Sequence, residues 1–88
     1  MNIKIIKLSD KQMDDKNVLS WPIWTCGVSE FDWEYDEQES CFLLEGEVEV
    51  KTDSETVSFS AGNFVVFPRG LKCQWRVLKS VRKHYTFN

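Results

Sequence analysis

The feature that most constrains the fold of this chain is the close spacing of its short β-strand patterns. Apolar and β-branched runs recur about every 8–12 residues, with turn-forming residues between them. In the clearest run, residues 47–51, valines alternate with charged residues, so the valines are expected to face inward. This pattern predicts a sandwich or a barrel. Because the chain has only 88 residues, it predicts one small domain over residues 1–88, filled mostly by side chains.

Helical periodicity is almost absent. Ser9 is placed to cap one short turn over residues 10–16, and the strand patterns occupy residues 3–8, 24–29, 31–35, 41–44, 47–51, 56–60, 64–67, 71–77 and 81–87. We expect a turn at Glu45 and Gly46, and a tight turn at residues 68–70 where Pro fixes φ and Gly permits positive φ. The residues expected to be buried are Val48, Val50, Val57, Phe59, Cys73, Trp75 and Val77.

Composition narrows the classes of partner. The 4 Trp, 6 Phe and 2 Tyr can supply a rich core, and the net charge of -3 without a basic stripe argues against nucleic acid. No apolar run approaches the roughly 18 residues of a membrane span, and the first residues do not resemble a signal peptide. Three cysteines without a CxxC spacing indicate free thiols. These features predict a cytoplasmic protein that binds neither nucleic acid nor membrane.

Two spaced motifs carry a family resemblance. Asp32-x-Glu34-(x4)-Glu39-(x6)-Gly46 has the spacing of the first cupin signature, in which two histidines normally precede the glutamate. Gly62-(x5)-Pro68-x-Gly70-(x2)-Cys73 has the spacing of the second, with cysteine at the position of the usual metal-binding histidine. Over roughly residues 21–87 the chain resembles the cupin superfamily, in particular the small single-domain cupins grouped with ureidoglycolate and ureidoglycine aminohydrolases and the ethanolamine-utilisation cupin. The resemblance implies an all-β, jelly-roll cupin barrel.

The resemblance also implies a candidate site. The residues at its metal-ligand positions are Asp32, Glu34, Glu39 and Cys73. Strand alternation places Asp32 and Glu34 on one face, which we expect to be the barrel interior, with Trp33 and Tyr35 facing outward. Converging carboxylates need a cation, which could be a divalent Zn, Fe or Mn ion, or a basic side chain such as Arg76 or Lys83. The alternative is a metal-free pocket in which the acids form hydrogen bonds or salt bridges.

Four further residues are candidates for the pocket wall, namely Trp75, Arg76, Lys83 and Tyr85. Lys83 and Tyr85 share a strand face and could donate hydrogen bonds to a ligand, although Lys83 could instead form a structural pair with a glutamate. Cys73 could be a nucleophile, but carboxylates nearby would raise its pKa, so a buried structural role is favoured. For His84, the only histidine, an exposed or interface position is favoured.

These observations leave the function open between classes. The first hypothesis is a small-molecule-binding cupin, or an enzyme acting on a polar amino or ureido metabolite; the substrate class rests on the resemblance alone. The second is a metal-free binding or accessory module, and the third is a dimeric interaction protein without catalysis. We also expect a homodimer, in which the amino-terminal strand or Trp33 takes part, because exposed aromatic side chains usually mark interfaces.

Overall fold

A computed structural model describes residues 2–88 and contains one short helix and seven strands. In chain order, the elements are β1 (Lys4–Ile6), α1 (Asp10–Lys16), a 3-10 turn (Val18–Ser20), β2 (Ile23–Cys26), β3 (Ser29–Glu34), β4 (Glu39–Lys51), β5 (Thr56–Ser60), β6 (Phe64–Phe67) and β7 (Lys72–Phe87). The predicted all-β fold is confirmed, and the single expected helix lies where the sequence placed it.

All strand pairs are antiparallel, in the order β1-β6-β4-β7-β2, with β3 added to β7 and β5 added to β4. The two longest strands, β4 and β7, organise the sheet. The first half of β4 pairs with β6 and its second half with β5, while the first half of β7 pairs with β3 and its second half with β2. Register shifts between Leu43 and Val48 let the pair of long strands bend, so that the sheet folds over a common interior.

The length of β4 and β7 corrects two expectations. The turn expected at Glu45 and Gly46 is wrong, because residues 39–51 form one continuous strand with Gly46 at φ 108 inside its irregular region. Likewise, the two strand patterns at residues 71–77 and 81–87 belong to the single strand β7. A glycine within a strand pattern can mark a bulge or a close approach of another backbone, and Gly46 does both.

Local signals at the helix and at one turn act as predicted. The Ser9 side chain accepts a hydrogen bond from the Gln12 backbone N–H, and the Ser9 backbone N–H donates one to Oε1 of Gln12, which completes a capping box. Leu71 N–H donates to the Pro68 carbonyl at 3.3 Å while Gly70 has φ 83, so the Pro–Gly turn forms as expected. The 3-10 turn was not predicted; it buries Val18 completely and precedes Trp21, whose ring packs 6.1 Å from that of Phe64.

The predicted core is confirmed, with one partial exception. Val57 is half-buried, and the other expected residues are buried: Val48, Val50, Phe59, Cys73, Trp75 and Val77. Valines of the 47–51 run point inward as their alternation required. In the part of the chain that the structure describes, no helix has both the length and the apolar character needed to cross a membrane.

Candidate functional site

Strand β3 directs Phe31, and not its acids, toward the interior, while Trp33 remains 51% exposed. Asp32 and Glu34 are exposed, whereas Tyr35 just beyond the strand is buried and Phe31 stacks on Trp75 with ring centroids 6.0 Å apart. The expectation that the two acids face inward and Tyr35 faces outward is therefore wrong. Strand alternation predicts that every second residue shares a face, but it does not predict which of the two faces is buried. Burying aromatic rings removes far more apolar surface from water than burying two carboxylates, which would also need partners.

Two other predicted positions are corrected. Arg76 lies on the exposed outer face of β7, in register with Glu30 and Glu49, so it does not line the interior. His84 is buried, not exposed, and its Nδ1 lies 2.9 Å from the Trp21 carbonyl oxygen. The reason is the segment containing the 3-10 turn, which covers the outer face of the sheet where His84 points.

Inside the fold, Glu39 and Lys83 form a buried ion pair. The Lys83 Nζ atom lies 2.8 Å from Oε2 of Glu39, and the two side chains are only 5% and 7% exposed. The same ammonium lies 4.9 Å from the ring centroid of Trp24 and 4.8 Å from that of Trp75. Of the cations considered from the sequence, Lys83 is thus the one that neutralises Glu39, with two indole faces adding cation–π attraction.

A second polar contact joins Trp75 on β7 to Tyr35, which lies just beyond β3. The Trp75 Nε1–H donates a hydrogen bond of 3.1 Å to the hydroxyl oxygen of Tyr35, whose ring stacks on Phe67 at 4.7 Å. Burial, reinforced by the negative charge of Glu39, raises the pKa of Tyr35 far above its ordinary value. The hydroxyl group is therefore protonated at any physiological pH and keeps a hydrogen to donate.

These groups meet at an aromatic cavity of about 250 Å3, which we call the inner cavity. Its lining residues are Trp24, Phe31, Trp33, Tyr35, Glu39, Trp75, Lys83, Tyr85 and Phe87. Of the residues proposed from the sequence for a pocket wall, Trp75, Lys83 and Tyr85 lie in this lining. Phe31 was missed as a wall residue, although the aromatic alternation at positions 31, 33 and 35 was a signal that could have identified it.

A larger polar groove of about 620 Å3 lies on the neighbouring surface. It contains Asp32, Glu34 and Cys73 from the predicted cluster, together with the exposed lysines Lys51 and Lys72. Lys72 lies 4.0 Å from Glu34 with both side chains mostly in solvent, which makes the groove a solvated, mixed-charge surface. We take the inner cavity as the candidate site because it holds the buried charges.

The donor set does not fit a metal centre. Asp32 and Glu34 point outward, so Glu39 and Cys73 are the two predicted ligands that face the interior, and the Lys83 ammonium already occupies the Glu39 oxygen. Within residues 2–88, no group of three or more His, Cys, Asp or Glu side chains is arranged to hold a metal ion. A cation placed beside Glu39 would also be repelled by the ammonium.

The Cys73 thiol is not activated as a nucleophile. Burial, with added repulsion from Asp32 and Glu39, raises its pKa from an ordinary value of 9.0 to about 11. Its Sγ atom donates a weak hydrogen bond to the Trp33 carbonyl at 3.7 Å. The favoured structural role of Cys73 is consistent with these surroundings.

This thiol chemistry gives a first prediction. A rise of two pH units in pKa lowers the thiolate fraction about a hundredfold, so iodoacetamide at pH 7.5 should label Cys73 about a hundred times more slowly in the folded protein than in denaturant. Peptide mass spectrometry over a time course measures both rates. Folded-state labelling of Cys73 as fast as in denaturant would contradict the assignment and return the thiol to the list of candidate nucleophiles.

Comparison with known proteins now identifies the family. The family model of the EutQ-like cupin domain matches residues 13–85. The chain belongs to this family. A DUF861-family protein from Thermotoga maritima is 45% identical to this cupin and has a TM-score of 0.97, with 99% of this chain and 100% of that chain covered. No curated protein matches this cupin.

Two further solved structures are similar to this cupin. The EutQ protein of Clostridium difficile is 27% identical, with a TM-score of 0.66, and the match covers 72% of this cupin but 50% of that protein. A protein from Salmonella typhimurium named for ethanolamine utilization is 24% identical, with a TM-score of 0.66 over 97% of this cupin and 68% of that chain. At 24% identity, the similarity to the Salmonella typhimurium protein shows the fold alone. The match to the Clostridium difficile protein extends over only half of that protein's length.

Proposed function

We propose that this small cupin binds a small polar metabolite in the inner cavity, where the Glu39–Lys83 pair forms the polar end of an aromatic pocket. The observation that carries the proposal is the position of that pair. Burying two charges costs several kcal/mol of desolvation per ion, and an apolar pair of similar volume would serve stability as well or better. A buried ion pair lining an open aromatic cavity is therefore better explained by ligand recognition than by folding.

The proposed ligand class is a compact amino or ureido compound. The resemblance to cupins suggested this class, and the cavity chemistry supports it, because ring faces and a carboxylate both attract N–H groups. A cavity of about 250 Å3 lies at or below the small end of ligand pockets, which are usually about 300–1,000 Å3. The donor set favours a metal-free binding or accessory module over a metalloenzyme, and no catalytic residue is assigned.

The homodimer stays a prediction. Trp33 and Phe87 line the cavity and remain about half exposed, at 51% and 48%, so apolar surface is available beside the opening. Ile6 on β1 is 46% exposed. Both regions named from the sequence thus offer apolar surface to a partner subunit.

The four tryptophans provide a direct binding test with an internal control. Trp24, Trp33 and Trp75 line the inner cavity, while Trp21 packs outside it against Phe64. Titration of 15N-labelled protein with N-ethylurea, at millimolar concentrations suited to weak ligands, should shift the indole N–H signals of the three cavity residues and leave that of Trp21 unchanged. Absence of shifts for ureas and alkylammonium ions alike, or equal shifts at Trp21, would overturn the proposed function.

A further inference from the structure

The polar groups of the inner cavity differ in how many of their hydrogen bonds the protein itself provides. A lysine ammonium has three N–H donors and no acceptor. One donor of Lys83 is used by Oε2 of Glu39 at 2.8 Å, and the remaining positive surface lies over the indole faces of Trp24 and Trp75. Lys83 is therefore largely satisfied by the protein itself and offers little to a ligand.

The Glu39 carboxylate has a second oxygen that is free. Among residues 2–88, every fully buried side-chain nitrogen or oxygen has a hydrogen-bond partner. Oε1 of Glu39 accepts no such bond within these residues, so it must keep some contact with solvent, and Glu39 is a lining residue of the inner cavity. This atom is an acceptor available to a ligand donor.

The Tyr35 hydroxyl supplies the complementary donor. Its oxygen accepts the Trp75 Nε1–H at 3.1 Å, which orients the group, while its own O–H finds no acceptor in the described chain. Tyr35 also lines the inner cavity. A tyrosine hydroxyl can donate and accept at once, so the bond from Trp75 leaves the donating side available.

Charge then decides between ligand classes. Glu39 and Lys83 are the charged members of the cavity lining, and they neutralise each other at 2.8 Å. A cationic or anionic ligand would have to shed its hydration without a free counter-charge, or else break the pair and leave one buried charge alone. An uncharged ligand has no charge to desolvate and leaves the Glu39–Lys83 pair intact.

We infer that the inner cavity selects an uncharged, planar ligand of the amide or ureido class. Its N–H is accepted by Oε1 of Glu39, its C=O accepts the O–H of Tyr35, and its flat face packs on the aromatic wall that includes Phe31 and Trp75. Tyr35 is thereby the residue that determines specificity. This inference rests on the proposed function and narrows it, because alkylamines, which are cations at neutral pH, are excluded.

A matched set of probes tests the inference on the wild-type protein. Propionamide, propionate and propylammonium have similar size and differ in charge. We expect propionamide and N-ethylurea to bind at least about tenfold more tightly than either ion, measured by the indole shifts of Trp24 and Trp75. An ion that binds as tightly as propionamide overturns the inference while leaving the proposed function standing. If no probe perturbs the cavity indoles, the proposed function itself fails.

The role of Tyr35 has a separate test with a matched control. Tyr35→Phe should weaken propionamide binding roughly three- to tenfold, the range expected for one hydrogen bond, and leave binding of the apolar probe benzene unchanged. Benzene is the matched control, because its binding needs the aromatic wall of the cavity and no hydrogen bond from the Tyr35 hydroxyl. Unchanged propionamide binding in Tyr35→Phe, or an equal loss of propionamide and benzene binding, overturns the assignment. Should Tyr35→Phe fail to fold, the wild-type probe series above still decides the ligand class.

Discussion

Replacing Glu39 with glutamine should lower the free energy of unfolding by about 3–5 kcal/mol at neutral pH, because the buried Lys83 ammonium loses its partner. The Lys83 side chain is 5% exposed, and its ammonium cannot turn to solvent without leaving the indole faces of Trp24 and Trp75. Had Asp32 and Glu34 converged on Glu39 without a metal, the same change would have relieved repulsion and raised stability or left it unaltered. Urea unfolding of the wild type and of Glu39→Gln measures whether the free energy of unfolding falls or rises.

The exposed acid Glu34 is the matched control for this prediction. It lies 4.0 Å from Lys72 on the surface, so Glu34→Gln should change stability by less than about 1 kcal/mol. The double variant Glu39→Leu with Lys83→Met should recover most of the loss, since it replaces both charges together. A Glu39→Gln protein as stable as the wild type would show that the Glu39–Lys83 pair contributes nothing to the free energy of unfolding. A wild-type melt that falls with added chelator would show that the cavity holds a metal.

The contrast between the buried Glu39 and the exposed Glu34 shows which parts of the structure could be predicted from the sequence. Strand periods and turn residues, which are local properties of the chain, predicted a sandwich or barrel, and the family resemblance carried by the two motifs implied the cupin fold. The phase of β3 was not predictable from the motif positions of Asp32 and Glu34. It depends on how much apolar surface Phe31 and Tyr35 bury against residues far along the chain, such as Trp75 and Phe67.

The polar end of the cavity was predicted in part. The sequence suggested Lys83 as one of several cations for Glu39, and the choice against Arg76 follows from strand parity. Lys83 and Arg76 are seven positions apart on β7, so the strand period places them on opposite faces. The hydrogen bond from Trp75 to Tyr35 could not be predicted, since it joins residues 40 positions apart whose contact depends on the three-dimensional pairing of β3 with β7.

Gly46 gives the second large expected effect. Gly46→Ala should destabilise the protein by about 2–5 kcal/mol, because the residue has φ 108 and a Cβ there would meet backbone atoms. That Cβ would lie 2.6 Å from the Ser80 carbonyl oxygen and 2.8 Å from the Val81 Cα atom. Backbone cannot yield as a flexible side chain would, so β7 has to move away from β4.

Because Lys83 lies on β7 two positions beyond Val81, the same displacement should disturb the ion pair with Glu39. Gly46→Ala should therefore shift the indole signals of Trp24 and Trp75 as well as lower the unfolding midpoint. Gly62→Ala is the control, since Gly62 has φ 91 but open space around its Cβ position, and its cost should be only the roughly 1–2 kcal/mol of backbone strain. Equal losses in the two variants would show that strain alone matters and that the close approach of β7 to Gly46 does not hold the Glu39–Lys83 pair in place.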